Sequence, residues 1–266
     1  MIPVLEIGGT HVTAALVDPS EWTVGSVHRR ALDSGASAAS IVAVLADAGR
    51  PFRARRWVVA LPGPFDYSAG VGWFAEVGKF DALHGVDLGA ALRRALPCSS
   101  VCFVNDAVAF ATGQWRGEHR LVGVTLGTGV GSAWLVDGVA IRDGPGVPPE
   151  GRLDLVTVDG GPLEDLVSRR AILAAYPAGV DVVDVASRAR AGDAAAARAL
   201  EEAMSVLGAV LAPRAAAFGA DVVVVGGSIA RSWDLVGPPL AARLPGVVPA
   251  QAEVERTLIG AVRAVS

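Results

Sequence analysis

Short apolar runs separated by polar or glycine-rich turns open the chain. The runs at 4–7, 13–17 and 24–28 have the length of strands, and the turns between them contain Gly-Gly and Asp-Pro-Ser. This pattern predicts an antiparallel meander. The apolar positions between 38 and 45 then recur at helical spacing, and Gly49 is a suitable end for that helix.

Strands and helices alternate in the next part of the chain. The runs at 57–61 and 101–104 predict buried strands, the pattern at 88–96 predicts a short helix, and a further helix is expected from 107 to about 115. This alternation indicates an α/β domain, in which ligands bind at the carboxyl ends of the strands. Three tryptophans in or beside strand patterns are expected in the protein core, namely Trp57, Trp73 and Trp134.

The opening pattern occurs a second time. Runs at 121–126, 132–136 and 139–142, with a Gly-Thr-Gly turn after the first, repeat the order of strand, glycine turn and strand. This repetition indicates a duplicated domain. The remaining chain is mainly helical, with a long helix predicted at 194–217 that Pro213 is expected to kink or break.

The end of the chain completes the predicted domain organisation. A strand at 221–225 precedes a final pair of helices, and the last helix, from about residue 251, is expected to return to the first domain. We therefore predict an N-terminal lobe of residues 1–105 and 251–266, and a larger C-terminal lobe of residues 106–250.

The composition excludes several classes of protein. Of the 266 residues, 52% are apolar, yet no apolar run approaches the roughly 20 residues of a membrane-spanning helix. The start lacks the basic segment of a secretory signal, so we expect a soluble, cytoplasmic protein with no membrane partner. The net charge is −4 and the arginines are scattered, which argues against nucleic acid as a partner.

Two common functional sites are also excluded by residue type. Cys98 and Cys102 are the only cysteines, and without a second ligand pair they cannot form a four-ligand zinc site. We expect them to act as small hydrophobic residues. Lys79 is the only lysine, and no G-x4-G-K-[ST] phosphate loop is present. Any nucleotide must therefore be bound without that loop.

Glycine turns are the most informative feature for function. Three of them each follow directly on an apolar run: Gly8-Gly9-Thr10, Gly127-Thr128-Gly129-Val130-Gly131 and Gly226-Gly227-Ser228. Glycine after a buried strand lets backbone N–H groups approach an anion, and a threonine adds a hydroxyl donor. In this order, the turns predict the phosphate- and nucleotide-facing parts of one kinase active site.

The chain resembles the ROK family of bacterial sugar kinases. The residues that carry the resemblance are, in order, Gly8-Gly9-Thr10, Leu61-Pro62-Gly63-Pro64, Asn105-Asp106-Ala107, Thr125 to Gly131, Gly161-Pro162-Leu163-Glu164 and Val225-Gly226-Gly227. The resemblance implies an actin-like, hexokinase-type α/β fold with two ribonuclease-H-like lobes around a central cleft. It also implies ATP and Mg²⁺ as cofactors, a sugar as acceptor, and a homodimer.

The resemblance implies roles for individual residues. Asp106 is expected to be the catalytic base and Asn105 a ligand of a sugar hydroxyl, and Gly63 is assigned to the acceptor site. A carboxylate at the end of a strand can accept the proton of an attacking hydroxyl. The alternative for Asn105 and Asp106 is capping of the following helix. Nucleotide contacts are implied for Gly8, Gly9, Thr10, Gly127, Thr128, Gly129, Gly226 and Gly227, each of which could instead serve only its turn.

The chain departs from the family at its metal-linked positions. Glu6 stands where relatives carry an aspartate associated with Mg²⁺ and the phosphates, so Glu6 is our candidate Mg²⁺ ligand. Its extra methylene is expected to alter metal placement without removing the charge. The cysteine-rich zinc motif of many relatives is missing, so no zinc is expected to bind.

A second departure concerns the acceptor. Arg152 takes the place of a family histidine that binds a ring hydroxyl, and a guanidinium donates hydrogen bonds but cannot accept them. The acceptor is therefore expected to be a sugar or a sugar-like cyclitol other than ordinary glucose. Glu150 is either a sugar ligand or a solvated loop acid, and Glu164 either a sugar ligand or a first-turn helix acid.

The segment 76–80 also differs from relatives, which have an Asn-Leu pair near the sugar. Lys79 lies here and is either a substrate contact or a solvated surface lysine.

Together these patterns predict an ATP- and Mg²⁺-dependent kinase that phosphorylates a hydroxyl, expected to be primary, of a sugar or cyclitol. Two alternatives stay open: a kinase that uses polyphosphate as donor, and a catalytically silent sugar-binding regulator. The first requires a basic groove that the scattered arginines do not indicate. DNA-binding regulation is disfavoured because the chain starts directly in a strand.

Overall fold

The computed structural model describes residues 1–75, 77–176 and 179–266. The chain forms two compact units, one of residues Met1–Gly113 with Ala252–Ser266 and the other of residues Gln114–Gln251. The lobe boundaries expected from the sequence stay a prediction. Within the described residues, every helix is too short or too polar to cross a membrane.

The strands of both units are short. They are β1 (Ile2–Ile7), β2 (His11–Asp18), β3 (Thr23–Ala31), β4 (Arg56–Leu61), β5 (Phe65–Asp66), β6 (Val71–Gly72), β7 (Ser100–Asn105), β8 (Arg120–Leu126), β9 (Val130–Val136), β10 (Val139–Ile141), β11 (Thr157–Val158), β12 (Gly161–Pro162), β13 (Val222–Gly226) and β14 (Val247–Pro249).

The helices lie between and after these strands. They are α1 (Ala38–Gly49), α2 (Leu88–Ala95), α3 (Asp106–Gln114), α4 (Glu164–Val167), α5 (Arg169–Ala175), α6 (Val182–Arg190), α7 (Ala194–Phe218), α8 (Trp233–Arg243) and α9 (Glu253–Arg263).

The N-terminal unit is built on a five-stranded sheet in the order β3-β2-β1-β4-β7. The first three strands form the predicted antiparallel meander, and β4 and β7 run parallel to β1. Parallel strands end at the same edge of a sheet. The three parallel strands therefore end at one edge of the sheet, at Ile7, Leu61 and Asn105, and the turns that follow them lie at the same edge.

Two apolar layers cover this sheet. Leu5 and Ile7 pack on one face with side chains of α1 and α2, and Val4 packs on the other face with Leu258 of α9. Side chains alternate between the faces of a strand, so Glu6 lies on the same face as Val4. The alternation thus places a carboxylate on the α9 side of the sheet, at its carboxyl edge.

Helices α3 and α9 cross at two glycines. A methyl group on Gly113 would overlap the carbonyl oxygen of Arg256, and a methyl group on Gly260 would overlap that of Ala109. Because both positions lack a Cβ, the two backbones can touch. This contact ties the C-terminal helix to the N-terminal unit.

The second unit repeats the topology of the first. Its five-stranded sheet has the order β10-β9-β8-β13-β14, with an antiparallel meander followed by two parallel strands. The predicted duplication is therefore confirmed. One apolar core, which includes Trp134, Leu207 and Phe218, joins this sheet to α7.

One sequence prediction on local structure is wrong, and one alternative of another is wrong. Pro213 does not break the long helix, because α7 continues through it. Both Pro213 and Ala209, whose carbonyl loses its helical partner, lie on the exposed side, where water can satisfy that carbonyl. Trp73 is not a core residue: it is 52% exposed, because β6 ends one residue before it. Trp57 and Trp134 are fully buried, as predicted.

Candidate active site

Two carboxylates lie near each other at the carboxyl edge of the N-terminal sheet. Glu6 is the next-to-last residue of β1, and Asp106 begins α3 directly after β7. Burial raises the pKa of Glu6, and the nearby charge of Asp106 raises it further, while a hydrogen bond from the Thr13 hydroxyl and the charge of Arg29 lower it. The structure therefore brings the predicted base and the predicted metal ligand within electrostatic reach of each other.

Asn105 caps the helix that carries Asp106. Its Oδ1 accepts hydrogen bonds from the backbone N–H groups of Ala107 (3.0 Å) and Val108 (3.2 Å). Its Nδ2 donates to the hydroxyl of Tyr67 (2.8 Å), which in turn donates to the carbonyl of Leu61 (3.2 Å). Capping thus occurs, and it is compatible with a sugar contact because the amide keeps a second N–H.

Gly63 lies beside this group. The position that a Cβ would take on Gly63 is 3.5 Å from the hydroxyl oxygen of Tyr67. Two predicted acceptor-side residues, Gly63 and Asn105, therefore lie beside one tyrosine, and Asp106 follows Asn105 directly in the chain.

The first glycine turn, Gly8-Gly9-Thr10, has free space around its two glycines. The N–H of Gly8 donates to the carbonyl of His11 (2.9 Å), which closes the turn. A Cβ on Gly8 would meet nothing closer than 3.5 Å, and a Cβ on Gly9 nothing closer than 3.9 Å, at the Ser34 hydroxyl. Thr10 is exposed. Protein packing does not require glycine here, so the backbone of this turn has room for a ligand to approach it closely.

Lys79 lies in a loop that is linked to this turn. The carboxylate of Asp81 accepts the N–H of Gly78, and the N–H of Phe80 donates to the carbonyl of Ser34 (2.7 Å). Within the described parts of the chain, Lys79 makes no hydrogen bond or ion pair, and both of its predicted roles stay predictions. Glu76, in the same segment, lies outside the described residues.

In the second unit, the Gly-Thr-Gly turn and Glu164 meet. The carboxylate of Glu164 accepts the backbone N–H of Val130 (3.2 Å). A Cβ on Gly129 would lie 2.5 Å from Glu164 Oε2, so glycine is needed for this contact. Gly127 is the first residue of this turn, and Thr128 is exposed. Glu164 is thus more than a helix acid, although its role as a sugar ligand stays a prediction.

The third glycine turn packs against the second. Gly227 has φ +92°, and a methyl group there would overlap the backbone of Leu126 at the end of β8. The side chain of Ser228 comes near Gly127, 3.5 Å from where its Cβ would be. The turns after β8 and β13 are therefore neighbours, as expected for parallel adjacent strands, and Gly227 is required by the fold itself.

Arg152 is held by acidic neighbours. Its Nε and Nη2 donate to the carboxylate of Asp154 (3.2 and 2.5 Å), and Glu150 Oε2 lies 4.0 Å from its Nη1. Ser132 anchors the loop by donating to the carbonyl of Gly151 (2.7 Å). The structure therefore brings Glu150 and Arg152 together, and Arg152 does not present an uncompensated positive charge.

Sequence reasoning missed several polar residues at these positions. Thr13 faces Glu6 through the β1–β2 register, which the position of the Gly-Gly turn could have indicated. Tyr67 and Asp154 carry no local motif, because each acts through a contact formed only when separate loops fold together.

The residues present fit a Mg²⁺ ion bound with phosphates. Such sites use one or two carboxylates and obtain the remaining oxygens from the nucleotide and water. Two mutually repelling carboxylates, Glu6 and Asp106, supply a reason for a cation there. In the described parts of the chain, no three metal-binding side chains form a cluster.

Both cysteines are free thiols and partly buried. Burial raises the pKa of Cys98, which disfavours the thiolate that binds metal.

Comparison with known proteins agrees with the geometry. The sequence is 27% identical to a glucokinase from Thermotoga maritima over 68% of this chain and 66% of that protein. It is 31% identical to the bifunctional enzyme NanE/NanK from Brucella melitensis over 97% of this chain and 53% of that protein. The chain thus spans less than two thirds of the length of these relatives.

Solved structures share the fold. A ROK family glucokinase from Streptomyces griseus in complex with glucose and AMPPNP superposes with a TM-score of 0.80, at 24% identity and 98% coverage of both chains. A polyphosphate/ATP-glucomannokinase from Arthrobacter sp. strain KM gives 0.72, at 24% identity and 100% and 99% coverage. A ROK family transcriptional regulator, a homologue of the E. coli MLC protein, gives 0.77, at 17% identity and 98% and 77% coverage.

The fold is therefore the predicted actin-like, hexokinase-type α/β fold. Because the sequence pattern of the ROK family matches from residue 3 to residue 263, the chain as a whole belongs to the ROK family.

Proposed function

We propose that this protein is a kinase that transfers the γ-phosphoryl group of ATP to a hydroxyl, expected to be primary, of a sugar or a sugar-like cyclitol. The observation that carries this function is the pair of carboxylates, Glu6 and Asp106, at the sheet edge where the open Gly8-Gly9 turn also lies. The similarity to a glucokinase and to NanE/NanK supports it.

Asp106 is the proposed general base. It begins α3, and the Asn105 cap holds that helix end in place. As the acceptor oxygen forms its bond to the γ-phosphorus, the bond between this phosphorus and the β–γ bridging oxygen breaks, and Asp106 takes the hydroxyl proton. The products are the phosphorylated acceptor, ADP and a proton that Asp106 later releases to water.

Glu6 is the residue that would hold Mg²⁺. When bound, the ion would offset the negative charge of the phosphates. Burial raises the pKa of Glu6, so a cation that favours the charged carboxylate would act against this shift.

The acceptor is proposed to be uncharged and rich in hydroxyls. The Arg152 guanidinium is already compensated by Asp154 and Glu150, so it has little to offer an acidic sugar. Asn105 and Glu164 are the proposed ring ligands, and Gly63, Lys79, Glu150 and Arg152 the proposed residues of the acceptor side. The nucleotide is assigned to the three glycine turns.

One experiment tests this function. Purified protein with Mg-ATP is assayed against hexoses, amino sugars and seven-carbon cyclitols, and both donor consumption and product mass are measured. Asp106→Asn is expected to lose turnover by about 10²-fold or more while it keeps acceptor affinity. Turnover that survives in Asp106→Asn would refute the base assignment.

Two alternatives are outcomes of the same assay. Polyphosphate replaces ATP in one arm, because a polyphosphate/ATP-glucomannokinase has this fold. Acceptor binding without any turnover, with either donor, would indicate a silent sugar-binding protein, since a transcriptional regulator also has this fold. A homodimer is proposed from the family resemblance and is tested by light scattering. A cytoplasmic location, where ATP is supplied, stays a prediction.

A further inference from the structure

A chain of three side chains leads away from the first glycine turn. The hydroxyl oxygen of Thr10, the last residue of that turn, is 2.9 Å from Nδ1 of His11. The other ring nitrogen of His11, Nε2, is 2.6 Å from Nη2 of Arg29. His11 begins β2 and Arg29 lies in β3, so the meander itself brings them together.

Strand register explains why these side chains meet. Arg29 pairs with Thr13, and His11 is two residues before Thr13, so all three side chains lie on one face of the sheet. Thr13 in turn pairs with Glu6. The Arg29 charge is close enough to Glu6 to lower the pKa of that carboxyl. The same guanidinium therefore interacts with both His11 and Glu6.

The chemistry of these groups sets the direction of every hydrogen bond. A guanidinium only donates, so Nε2 of His11 must accept from Arg29 and carries no hydrogen. The neutral imidazole then has its hydrogen on Nδ1, which donates to the Thr10 hydroxyl oxygen. The Thr10 hydroxyl oxygen thus accepts a hydrogen bond from His11. The hydrogen of the same hydroxyl can therefore be donated to another acceptor.

We propose that His11 and Arg29 are positioning residues that make the Thr10 hydroxyl a hydrogen-bond donor toward a phosphate oxygen of the nucleotide. This inference rests on the proposed function, because it takes the Gly8-Gly9-Thr10 turn as a phosphate site. A hydroxyl alone can rotate between donor and acceptor roles. Phosphate oxygens offer only acceptors, so a hydroxyl held as a donor is preorganised for them.

The first test reads the histidine directly and needs no turnover. Long-range ¹H–¹⁵N NMR of the imidazole rings distinguishes a hydrogen on Nδ1 from one on Nε2, and His11→Gln assigns the signal. We expect the Nδ1–H form in the native protein and a mixture of both forms in Arg29→Leu. We call the hydrogen-bonded series Thr10–His11–Arg29 the relay. A native His11 with its hydrogen on Nε2 would overturn the relay.

The second test measures ATP binding and kinetics. His11→Leu is expected to raise the KM for ATP and its Kd by about tenfold, the effect of one hydrogen bond to a charged group. The acceptor KM should change less than about twofold, because acceptor contacts do not pass through this relay. His11→Gln, which has both a donor and an acceptor, should recover most of the loss.

The matched control is Arg30→Leu, the next arginine on β3. Arg30 donates to Asp47 at 2.9 Å and points to the other face of the strand, so its loss should leave ATP affinity unchanged. In a Thr10→Val background, His11→Leu should have almost no further effect, since the relay acts only through that hydroxyl. Full additivity of the two substitutions would refute the inference, as would a His11→Gln variant no better than His11→Leu.

Failure of the proposed function is distinguishable from failure of the relay. Calorimetric titration with AMPPNP compares the same variants without chemistry. Relay-dependent binding without turnover would keep the inference and remove the kinase assignment. If the native protein does not bind AMPPNP, the relay fails as well.

Discussion

At the residue scale, the most informative group is the carboxyl of Glu6. Its environment opposes ionisation, since burial and the charge of Asp106 both raise its pKa. Such an arrangement adds nothing to the stability of the protein. It does favour the binding of a cation, which is a functional reason for it. Residues that cost stability in the free protein are typical of functional positions.

The first prediction concerns Glu6→Gln. The native carboxyl holds its proton more tightly than the unfolded one, so native stability falls as pH rises from the ordinary value of 4.5 through the raised native pKa. Glu6→Gln removes this penalty and keeps a partner for Thr13. In metal-free buffer, the variant should therefore be more stable than the native protein at pH 7 and equal to it below pH 4.5.

Urea unfolding across this pH range measures the difference, and activity should be lost in the same variant. A variant less stable than the native protein at neutral pH would show that Glu6 is a structural residue.

The second prediction contrasts two glycines. Gly9→Ala has room for its methyl group, so stability should change by less than about 0.5 kcal/mol, while the KM for ATP rises about tenfold or more. Gly227→Ala meets both the Leu126 backbone and an unfavourable φ of +92°. It should cost about 2 kcal/mol or more.

Thermal unfolding and ATP kinetics on both variants check this contrast. Equal destabilisation in the two would mean that the first turn is also required by packing.

At the element scale, helix α3 joins structure to chemistry. Its first residue is the proposed base, and the residue before it satisfies two N–H groups of the first turn. A rigid helix end is a means of fixing a catalytic carboxylate, because the cap holds the backbone that carries it. Capping and catalysis are thus complementary uses of one Asn-Asp pair.

The third prediction separates capping from acceptor binding at Asn105. Asn105→Ala should cost about 1 kcal/mol of stability through loss of the cap, and Asn105→Ser should restore most of that, because serine also caps. Both variants lose the amide N–H groups, so both should raise the acceptor KM by about tenfold.

Equilibrium unfolding and acceptor kinetics are measured on the pair. Full recovery of the acceptor KM in Asn105→Ser would leave Asn105 as a cap only.

At the scale of the whole molecule, the chain leaves its first unit after Gly113 and returns at Ala252. The returning helix α9 completes one face of the N-terminal sheet, where Leu258 and Ala261 pack with Val4 and Val58. The first unit is therefore complete only when the last part of the chain has been added.

The fourth prediction tests this closure. Gly260→Ala would place a methyl group on the Ala109 carbonyl and separate α9 from α3, at a cost of about 1–3 kcal/mol. Hydrogen exchange should accelerate in α3, α9 and β1 and stay unchanged in α7.

Gly25→Ala is the matched control, because the closest neighbour of its methyl group would be the flexible end of Met1 at 3.3 Å and its other neighbours lie at ordinary contact distance. Uniform acceleration throughout the chain in Gly260→Ala would contradict an effect confined to the first unit.

Much of this arrangement could be predicted from the sequence. The two meanders follow from period-two apolar runs and glycine turns, and the parallel strands follow from continuous apolar runs such as Val222 to Val225. The three glycine turns were predicted as a group from their order and from the apolar run that precedes each of them. The break at Pro213 and the burial of Trp73 were mispredicted because local preference was applied without knowing which side faces solvent.

The sequence by itself determined which elements form, their order, and which residue types stand at the strand ends, since these depend on spacing and composition along the chain. Only the tertiary structure decided that the charge of Asp106 raises the pKa of Glu6. The same is true of the ion pair between Arg152 and Asp154 and of the hydrogen bonds by which His11 links Thr10 to Arg29. The physical reason is that charge interactions and hydrogen bonds depend on distances of a few ångströms between side chains, which strand register and loop packing set.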